Sequence, residues 1–206
     1  MSRAKMDFAE GIFRSNFKVC VLGDGGVGKT AIIQHLLGRA FTTNYLLTIG
    51  TDISTFQLHH NGKNLRLQLW DLAGQTRFDV VRNLYFSGAR AGVLVFDLTR
   101  ETSLHSLAKW KKEIFSHSQR KVPLLILGNK SDLDGSHFSY LDPVDNFIQE
   151  IEKEYNNEYE NNELQVPFHT TSAKTGNNIL KAFDSLGQIL LTYQKQTSAI
   201  PKIPLE

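Results

Sequence analysis

The sequence predicts an α/β domain with a mostly parallel sheet, and two observations support this fold class. Apolar runs with the length and alternation of strands are separated by longer segments with helical periodicity. One pair of strands is joined by Asn61-Gly62, the dipeptide best suited to a two-residue turn with positive φ, so this pair is antiparallel. Helices separate the strands that follow, and crossover helices make neighbouring strands parallel.

The elements are predicted in order along the chain. The apolar run 17–22 forms the first strand, and a helix begins at Thr30. The hairpin consists of strands 52–60 and 63–70. The later strands are 91–97, 122–128 and 166–170, and the helices between and after them are 103–117, 143–160 and 177–193.

Composition and charge are those of one globular domain. The chain has 206 residues, of which 41% are apolar, and a chain of this length buries about 70% of its unfolded surface in one core. Its 23 basic and 21 acidic residues are interspersed and leave a net charge of +2, so no basic stripe predicts a nucleic-acid partner. The single cysteine, Cys20, lies within the first strand and is expected to be a buried thiol.

No segment of the sequence predicts export or a membrane span. No apolar stretch approaches the ~20 residues that cross a bilayer, and the chain does not open with a secretory signal. Met1-Ser2 at the start argues against myristoylation, and the tail 195–206 has no cysteine for prenylation. We therefore expect a cytoplasmic protein without a lipid anchor, for which any membrane contact is indirect.

The strongest motif follows the first strand directly. It reads Gly23-Asp24-Gly25-Gly26-Val27-Gly28-Lys29-Thr30, the Walker A pattern of a phosphate-binding loop. Its glycines allow successive backbone N–H groups to turn inward as a nest for a phosphate. Lys29 adds a charge on the terminal phosphates, the hydroxyl of Thr30 can ligate a magnesium ion, and the helix N-terminus faces the same anion. This motif predicts a nucleoside triphosphate site.

A second motif, Asp71-Leu72-Ala73-Gly74-Gln75, follows the strand 63–70. Asp71 suits the ligand shell of a magnesium ion. The backbone N–H of Gly74 suits a contact with a γ-phosphate, and Gln75 comes directly after it. The second motif therefore places metal and γ-phosphate contacts at another strand end.

Two further motifs follow later strands. Asn129-Lys130-Ser131-Asp132 comes after the strand 122–128, and the carboxylate of Asp132 can accept two hydrogen bonds from the edge of guanine, which adenine does not offer. The backbone of Thr171-Ser172-Ala173-Lys174 can donate to the base carbonyl. Because ligands bind beyond the carboxyl ends of strands in an open α/β sheet, the four loops converge on one crevice for a guanine nucleotide.

With these four motifs in this order, the chain resembles the Ras superfamily of small GTPases over residues 17–193. The segment 41–52 resembles a Rab-type switch I, and 70–75 opens a similar switch II. The segment 84–89 resembles the tyrosine-rich stretch of Rab proteins, so the resemblance is to a Rab-like member. It implies the P-loop NTPase small G domain, an α/β fold with a six-stranded, mostly parallel sheet and helices on both faces.

The resemblance also implies a role for each site residue. The catalytic residues are Lys29 on the β- and γ-phosphates, Thr48 at the magnesium ion and Gln75, which orients the attacking water. The metal ligands are Thr30, Thr48 and Asp71. The residues that bind GTP or GDP with Mg²⁺ are Gly23, Asp24, Gly25, Gly26, Val27, Gly28, Lys29, Thr30, Ala31, Phe41, Thr48, Asp71, Gly74, Asn129, Lys130, Asp132, Ser172, Ala173 and Lys174.

Around the base, the resemblance implies a division of roles. Phe41 packs against the guanine ring, and Lys130 lies along its plane. Asn129 ties the base loop to the phosphate loop. Ser172 and Ala173 support the aspartate of the base loop.

These residues imply a molecular switch that cycles between GTP and GDP and hydrolyses GTP slowly. No arginine lies between Phe41 and Asp52, so switch I supplies no arginine in cis and a GTPase-activating protein is expected to supply one. An exchange factor and effectors are also expected at the switch regions of a monomer. The alternative is a constitutively GTP-bound interaction scaffold with little turnover, and the presence of Gln75, Thr48 and Gly25 favours the switch.

An apolar surface around the switches is the expected site of partner contact. Its residues are Tyr45, Leu46, Leu47, Ile49, Ile53, Trp70, Phe78 and Tyr85. The alternative is that Ile53 and Trp70 belong to the core.

The resemblance divides the chain into an N-terminal extension 1–16, a G domain 17–194 and a short tail 195–206. The domain carries a longer, acidic insertion at about 134–165. Its glutamates are expected to form a solvated helix end and loop because like charges repel one another. The alternative is that this insertion binds a basic partner.

Overall fold

The structure, a computed structural model, describes residues 15–41, 50–72, 85–118, 121–133, 141–158 and 164–199. The strands are β1 Ser15–Leu22, β2 Thr51–His60, β3 Lys63–Leu72, β4 Ala91–Asp97, β5 Leu124–Asn129 and β6 Phe168–Thr170. They form one six-stranded sheet in the order β2-β3-β1-β4-β5-β6. β2 and β3 are antiparallel and every other neighbouring pair is parallel. The predicted sheet is confirmed.

The hairpin between β2 and β3 closes at the predicted dipeptide. Asn61 and Gly62 have φ of 47° and 72°, and His60 pairs with Lys63 across the turn. Both turn residues are therefore in the left-handed region that a two-residue hairpin turn requires.

Helices cover both faces of the sheet. The described helices are α1 Lys29–Leu36, α2 Glu101–His105, α3 Leu107–His117, α4 Leu141–Glu158 and α5 Ile179–Ala199. Because successive side chains of a strand point to opposite faces, Val93 and Val95 of β4 join the core beneath α1 and α5. Leu94 and Phe96 join the second core, beneath α2, α3 and α4. The predicted two-sided covering is confirmed, and Cys20 is a buried free thiol in the second core.

Prolines explain why β5 and β6 begin later than predicted. The predicted starts were residues 122 and 166, but each strand begins directly after a proline, Pro123 or Pro167. A proline has no N–H to donate to a sheet. The carbonyls still take part, since Gly92 N donates to Pro123 O over 3.0 Å and Ile126 N donates to Pro167 O over 2.9 Å.

Two predicted helices also differ at specific residues. The helix predicted at 103–117 is divided into α2 and α3 at Ser106, whose hydroxyl donates to the carbonyl of Thr102 over 3.0 Å and favours a bend there. α4 begins at Leu141, two residues before its predicted start, because Pro143 lies in the first helical turn, where no N–H is required.

The remaining boundaries differ at element ends, which sequence patterns define least well. β1 begins at Ser15, β2 at Thr51, and β3 ends at Leu72. α5, predicted at 177–193, spans Ile179–Ala199 and crosses the predicted start of the tail. Within the described part of the chain, no helix is long and apolar enough to span a membrane.

Glutamates of α4 form ion pairs with two lysines from other elements. Lys111 of α3, which is buried, lies 3.0 Å from Glu150 and 2.7 Å from Glu154. Burial lowers the pKa of Lys111, but the hydrogen bonds to both glutamates outweigh it and the pKa is raised. Lys121 lies 3.8 Å from Glu158. Three glutamates of the acidic segment are therefore paired within the protein, while the side chain of Glu150 is still 63% exposed. A solvated helix end and loop, and the alternative of a basic partner, stay predictions.

His60, at the end of β2, connects the hairpin to α5. Its Nδ1 lies 2.6 Å from Oδ1 of Asp184 and its Nε2 lies 2.9 Å from Oε1 of Gln188. Burial lowers the pKa of His60, but the hydrogen bonds to Asp184 and Gln188 and the charge of Asp184 outweigh it, so the pKa is raised above 6.5. The neighbouring His59 is exposed, as strand alternation predicts.

We expect this contact to make stability depend on pH. A raised pKa in the folded state means that His60 contributes stability that is fully present below pH 6.5 and lost as the pH rises through the folded pKa. Urea unfolding at about pH 6 and pH 8 should show that Asp184→Asn reduces this loss relative to wild type. The effect should stay below about 1 kcal/mol because Asp184 is 56% exposed.

The exposed Asp145 of α4 offers the control for this measurement. Asp145→Asn should leave the wild-type pH dependence in place. Equal pH dependence in wild type and Asp184→Asn would contradict the role of His60.

Candidate nucleotide-binding site

A glycine-rich loop, residues 23–28, connects β1 to α1. Gly23 and Gly28 have φ of 142° and 101°, which residues with a side chain rarely adopt. A Cβ on Gly28 would also lie 2.2 Å from Nδ2 of Asn129. Glycine is therefore required here by close packing as well as by the backbone. α1 begins at the end of the loop, so its N-terminal N–H groups add to the donors available for an anion.

Lys29 lies buried beneath this loop. Its Nζ donates to the carbonyl of Gly23 over 2.7 Å and to that of Asp24 over 2.8 Å. Burial lowers the pKa of Lys29 to about 8, the charges of Asp71 and Asp24 oppose this shift, and the charge of Arg100 adds to it. A phosphate bound in the loop would stabilise the charged form of this buried lysine.

Thr30 and Asp71 form the part of the predicted metal site that the structure describes. Oγ1 of Thr30 lies 2.5 Å from Oδ2 of Asp71, which is only 2% exposed. Burial raises the pKa of Asp71, while the Thr30 hydrogen bond and the charge of Lys29 oppose this shift. Among the described residues, Oδ1 of Asp71 has no hydrogen-bond partner. A partly buried hydroxyl beside a buried carboxylate with an unused oxygen fits a magnesium ion.

Asn129, at the end of β5, joins three loops through one buried side chain. Its Nδ2 donates to the carbonyl of Val27 in the phosphate loop over 2.9 Å. Its Oδ1 accepts from the N–H of Ala173 over 3.1 Å and from the hydroxyl of Thr171 over 3.3 Å. The phosphate loop, the base loop and the loop after β6 are therefore fixed relative to one another.

The carboxylate of Asp132 is held at the edge of the base loop. Oγ of Ser172 donates to its Oδ1 over 2.6 Å, and Nζ of Lys174 lies 3.9 Å from Oδ2. The Asp132 side chain is 14% exposed, whereas that of Lys174 is 61% exposed. This arrangement orients an acceptor with two oxygens for hydrogen-bond donors on a ligand.

The structure leaves three predicted site residues untested. Thr48, Gly74 and Gln75 lie outside the described residues. Phe41 is the last described residue before the first of these gaps and is 43% exposed. Ala31 lies on α1 and packs against the first core. The other predicted residues lie in or directly beside the loops after β1, β5 and β6, except for Asp71, which lies near the end of β3.

Three residues that the sequence analysis did not single out contact this site. Asp97 Oδ2 lies 2.5 Å from Nζ of Lys130. Nη2 of Arg100 donates to the carbonyl of Gly25 over 2.9 Å. Nε1 of Trp110 donates to Oδ1 of Asp24 over 3.0 Å. The rule that ligands bind at strand ends could have indicated the turn after β4, but that turn carries no phosphate or base motif.

The described part of the predicted apolar surface lies on β2 and β3 and near residue 85. Ile53 is 52% exposed, so it is not a core residue. It pairs with Trp70 across the hairpin. The rings of Trp70 and Tyr85 are 6.4 Å apart, and Nζ of Lys18 lies 3.7 Å from the centre of a Trp70 ring.

Comparisons with known proteins agree with this geometry. The model of the Ras family matches residues 18–192. Rab-10 of Diplobatis ommata is 36% identical over 177 residues, which are 85% of this chain and 81% of that protein. Rab-13 of Mesocricetus auratus is 34% identical over 175 residues, covering 85% and 80%. The GTP-binding protein YPTM2 of Zea mays is 32% identical over 167 residues, covering 81% and 76%. The chain therefore belongs to the Ras family, as a Rab-like small GTPase and guanine-nucleotide-dependent switch that hydrolyses GTP.

Proposed function

We propose that the four loops at the carboxyl edge of the sheet form the GTP and GDP site of this switch. The observation that carries the proposal is the Asn129 side chain, which bonds to Val27 in the phosphate loop and to the loop after β6. We assign Lys29 to the phosphates and Asp132 to the base of one nucleotide, and these bonds between the loops support that assignment. A buried cation in the phosphate loop and an oriented carboxylate in the base loop both suit a guanine nucleotide.

We assign Mg²⁺ to Thr30 and Asp71, with Thr48 as a third ligand. The unpartnered Oδ1 of Asp71 among the described residues and the adjacent Thr30 hydroxyl support this assignment. When bound, the ion supplies positive charge to the oxygens of the β- and γ-phosphates. Lys29 adds the charge that this chain contributes to the same oxygens.

For the hydrolytic step we assign Gln75 to orienting the attacking water. Thr48 and Gly74 hold the two switch segments while the γ-phosphate is present, and its departure releases them. Proteins of this family are the standard example of an arginine supplied by a GTPase-activating protein, which is worth about 10³ to 10⁵ in rate. Because switch I has no arginine, slow hydrolysis accelerated by such a partner is the proposed cycle.

Exchange factors, GTPase-activating proteins and effectors are the partner classes of this family, and we propose that they bind through the switch regions of a monomer. The exposed Ile53 beside Trp70 and Tyr85 supports an apolar contact surface there. We propose a G domain over 17–194, between an extension 1–16 and a tail 195–206. Cytoplasmic location and indirect membrane contact stay predictions.

Single-turnover hydrolysis of GTP with Mg²⁺ tests the proposal. We expect slow turnover by wild type and a rate at least about tenfold lower for Gln75→Leu, because leucine cannot orient the water. Affinity for GDP is measured alongside and should stay close to that of wild type. Gln57→Leu, at an exposed glutamine of β2, should hydrolyse like wild type.

The same experiment decides between the switch and the scaffold. Tight binding of GTP with equal, near-zero turnover in wild type and Gln75→Leu would contradict the assignment of Gln75 and favour a constitutively GTP-bound scaffold.

A further inference from the structure

The segment from the end of β4 through the turn to the start of α2, residues 97–103, is fixed by its own hydrogen bonds. Asp97 is 4% exposed, and its Oδ1 accepts from the backbone N–H of Thr99 over 2.9 Å and from its hydroxyl over 2.7 Å. Oγ of Ser103 accepts from the Asp97 N–H over 2.9 Å and donates to the carbonyl of Arg100 over 2.6 Å. The backbone of Arg100 is therefore held in place on both sides.

This turn contacts both ends of the proposed nucleotide site. Oδ2 of Asp97 pairs with Nζ of Lys130 in the base loop. Nη2 of Arg100 donates to the carbonyl of Gly25 in the phosphate loop over 2.9 Å. α3, which follows α2, adds the hydrogen bond from Trp110 to the side chain of Asp24. Two successive residues of the phosphate loop are thus held from the same side.

The contact with Gly25 determines where the next N–H points. The described part of the chain has no cis peptide bonds, and the C=O and N–H of a trans peptide point in opposite directions. A carbonyl of Gly25 that accepts from Arg100 therefore directs the N–H of Gly26 away from Arg100. In a phosphate nest, affinity depends on successive N–H groups converging on the anion.

We propose that Arg100 is a positioning residue of the nucleotide site: by holding the Gly25 carbonyl, it directs the Gly26 N–H to the phosphates of bound GDP or GTP. The inference rests on the proposed function, because it requires phosphates in this loop. The charge of Arg100 also reaches the site, since it contributes to the lowered pKa of Lys29, after the larger effect of burial. Its guanidinium therefore adds positive charge for an anion in the phosphate loop, in addition to orienting that loop.

Dissociation of a fluorescent GDP from the full chain in Mg²⁺ tests this role. Loss of one charged hydrogen bond that orients the loop should raise the dissociation rate of Arg100→Ala about tenfold. Arg100→Lys keeps a charged donor and should recover part of that loss. Arg90→Ala is the matched control, because Arg90 is an exposed arginine before the opposite end of β4, and its dissociation rate should stay within about twofold of wild type.

A phosphorus NMR spectrum of bound GDP separates positioning from a general loss of stability. The β-phosphate resonance should move in Arg100→Ala and stay in place in Arg90→Ala, because only the first variant changes the donors around that phosphate. Wild-type dissociation and an unmoved resonance in Arg100→Ala would overturn the role of Arg100 and leave the proposed site intact. A lysine variant as fast as the alanine variant would overturn it too. Failure of wild type to bind GDP would overturn both proposals.

Discussion

Asp132→Asn is expected to shift the base preference from guanine toward xanthine and to weaken GTP binding about a hundredfold. Guanine presents two adjacent donors to the carboxylate, and asparagine offers one acceptor and one donor in place of two acceptors. Losing one charged hydrogen bond and leaving a donor opposite a donor costs about 3 kcal/mol, or about a hundredfold in Kd. Xanthine has a carbonyl where guanine has its amino group, so it matches the new donor.

The surroundings of Asp132 should tolerate asparagine, so that the substitution changes mainly the contact with the base. The Ser172 hydroxyl donates to Oδ1, and an asparagine oxygen can accept the same bond. The NH₂ group then occupies the Oδ2 position, where Nζ of Lys174 lies 3.9 Å away on a side chain that is 61% exposed. An exposed contact of this kind contributes little to stability. The loss of affinity should therefore come from the contact between residue 132 and the base.

Competition of GTP and XTP against fluorescent GDP measures the change in preference. Asp145→Asn, which makes the same substitution at an exposed position of α4, should keep the wild-type preference. Unchanged selectivity for GTP in Asp132→Asn would contradict the assignment of this carboxylate to the base.

Gly23→Ala is expected to lower the free energy of unfolding by about 3 kcal/mol. A Cβ at this position would lie 2.1 Å from the backbone carbonyl oxygen of Val95, and φ is +142°. The clash is with the backbone of β4 in the centre of the sheet, so it cannot be relieved by a rotamer change. Strain in the backbone adds to the overpacking.

Urea unfolding without nucleotide measures this effect free of ligand stabilisation. Gly25→Ala is the control in the same loop, because no described atom lies within 4 Å of its added Cβ. It should stay within about 0.5 kcal/mol of wild type. Equal stabilities for the two variants would show that the loop and β4 are not packed as described.

The sheet and the phosphate loop could be predicted because the features that define them are local. Asn61-Gly62 is a turn signal that needs no other part of the chain, and the spacing from Gly23 to Thr30 is a complete motif. The effect of proline is also local, because Pro123 and Pro167 lie within apolar runs but have no N–H to donate to a strand. Weighing the missing N–H would have placed both strand starts correctly.

The contacts of Asp97 and Arg100 could not be predicted because they depend on the order of the strands. β4 lies beside β1 in the sheet, although β2 and β3 come between them in sequence. Only that adjacency brings the turn after β4 against the phosphate loop. The ion pairs of α4 are similar: the spacing of its glutamates was visible, but their partner Lys111 lies on another helix.

The three loops joined by Asn129 have a consequence for timing. Because Asn129 is 1% exposed and bonds to Val27, Thr171 and Ala173, the entropy of ordering these loops is lost when the protein folds. A nucleotide that enters such a preorganised site has little further order to impose, and the benefit appears mainly as a longer residence time. We therefore expect bound GDP to leave slowly on its own, so that its prompt replacement depends on an exchange factor.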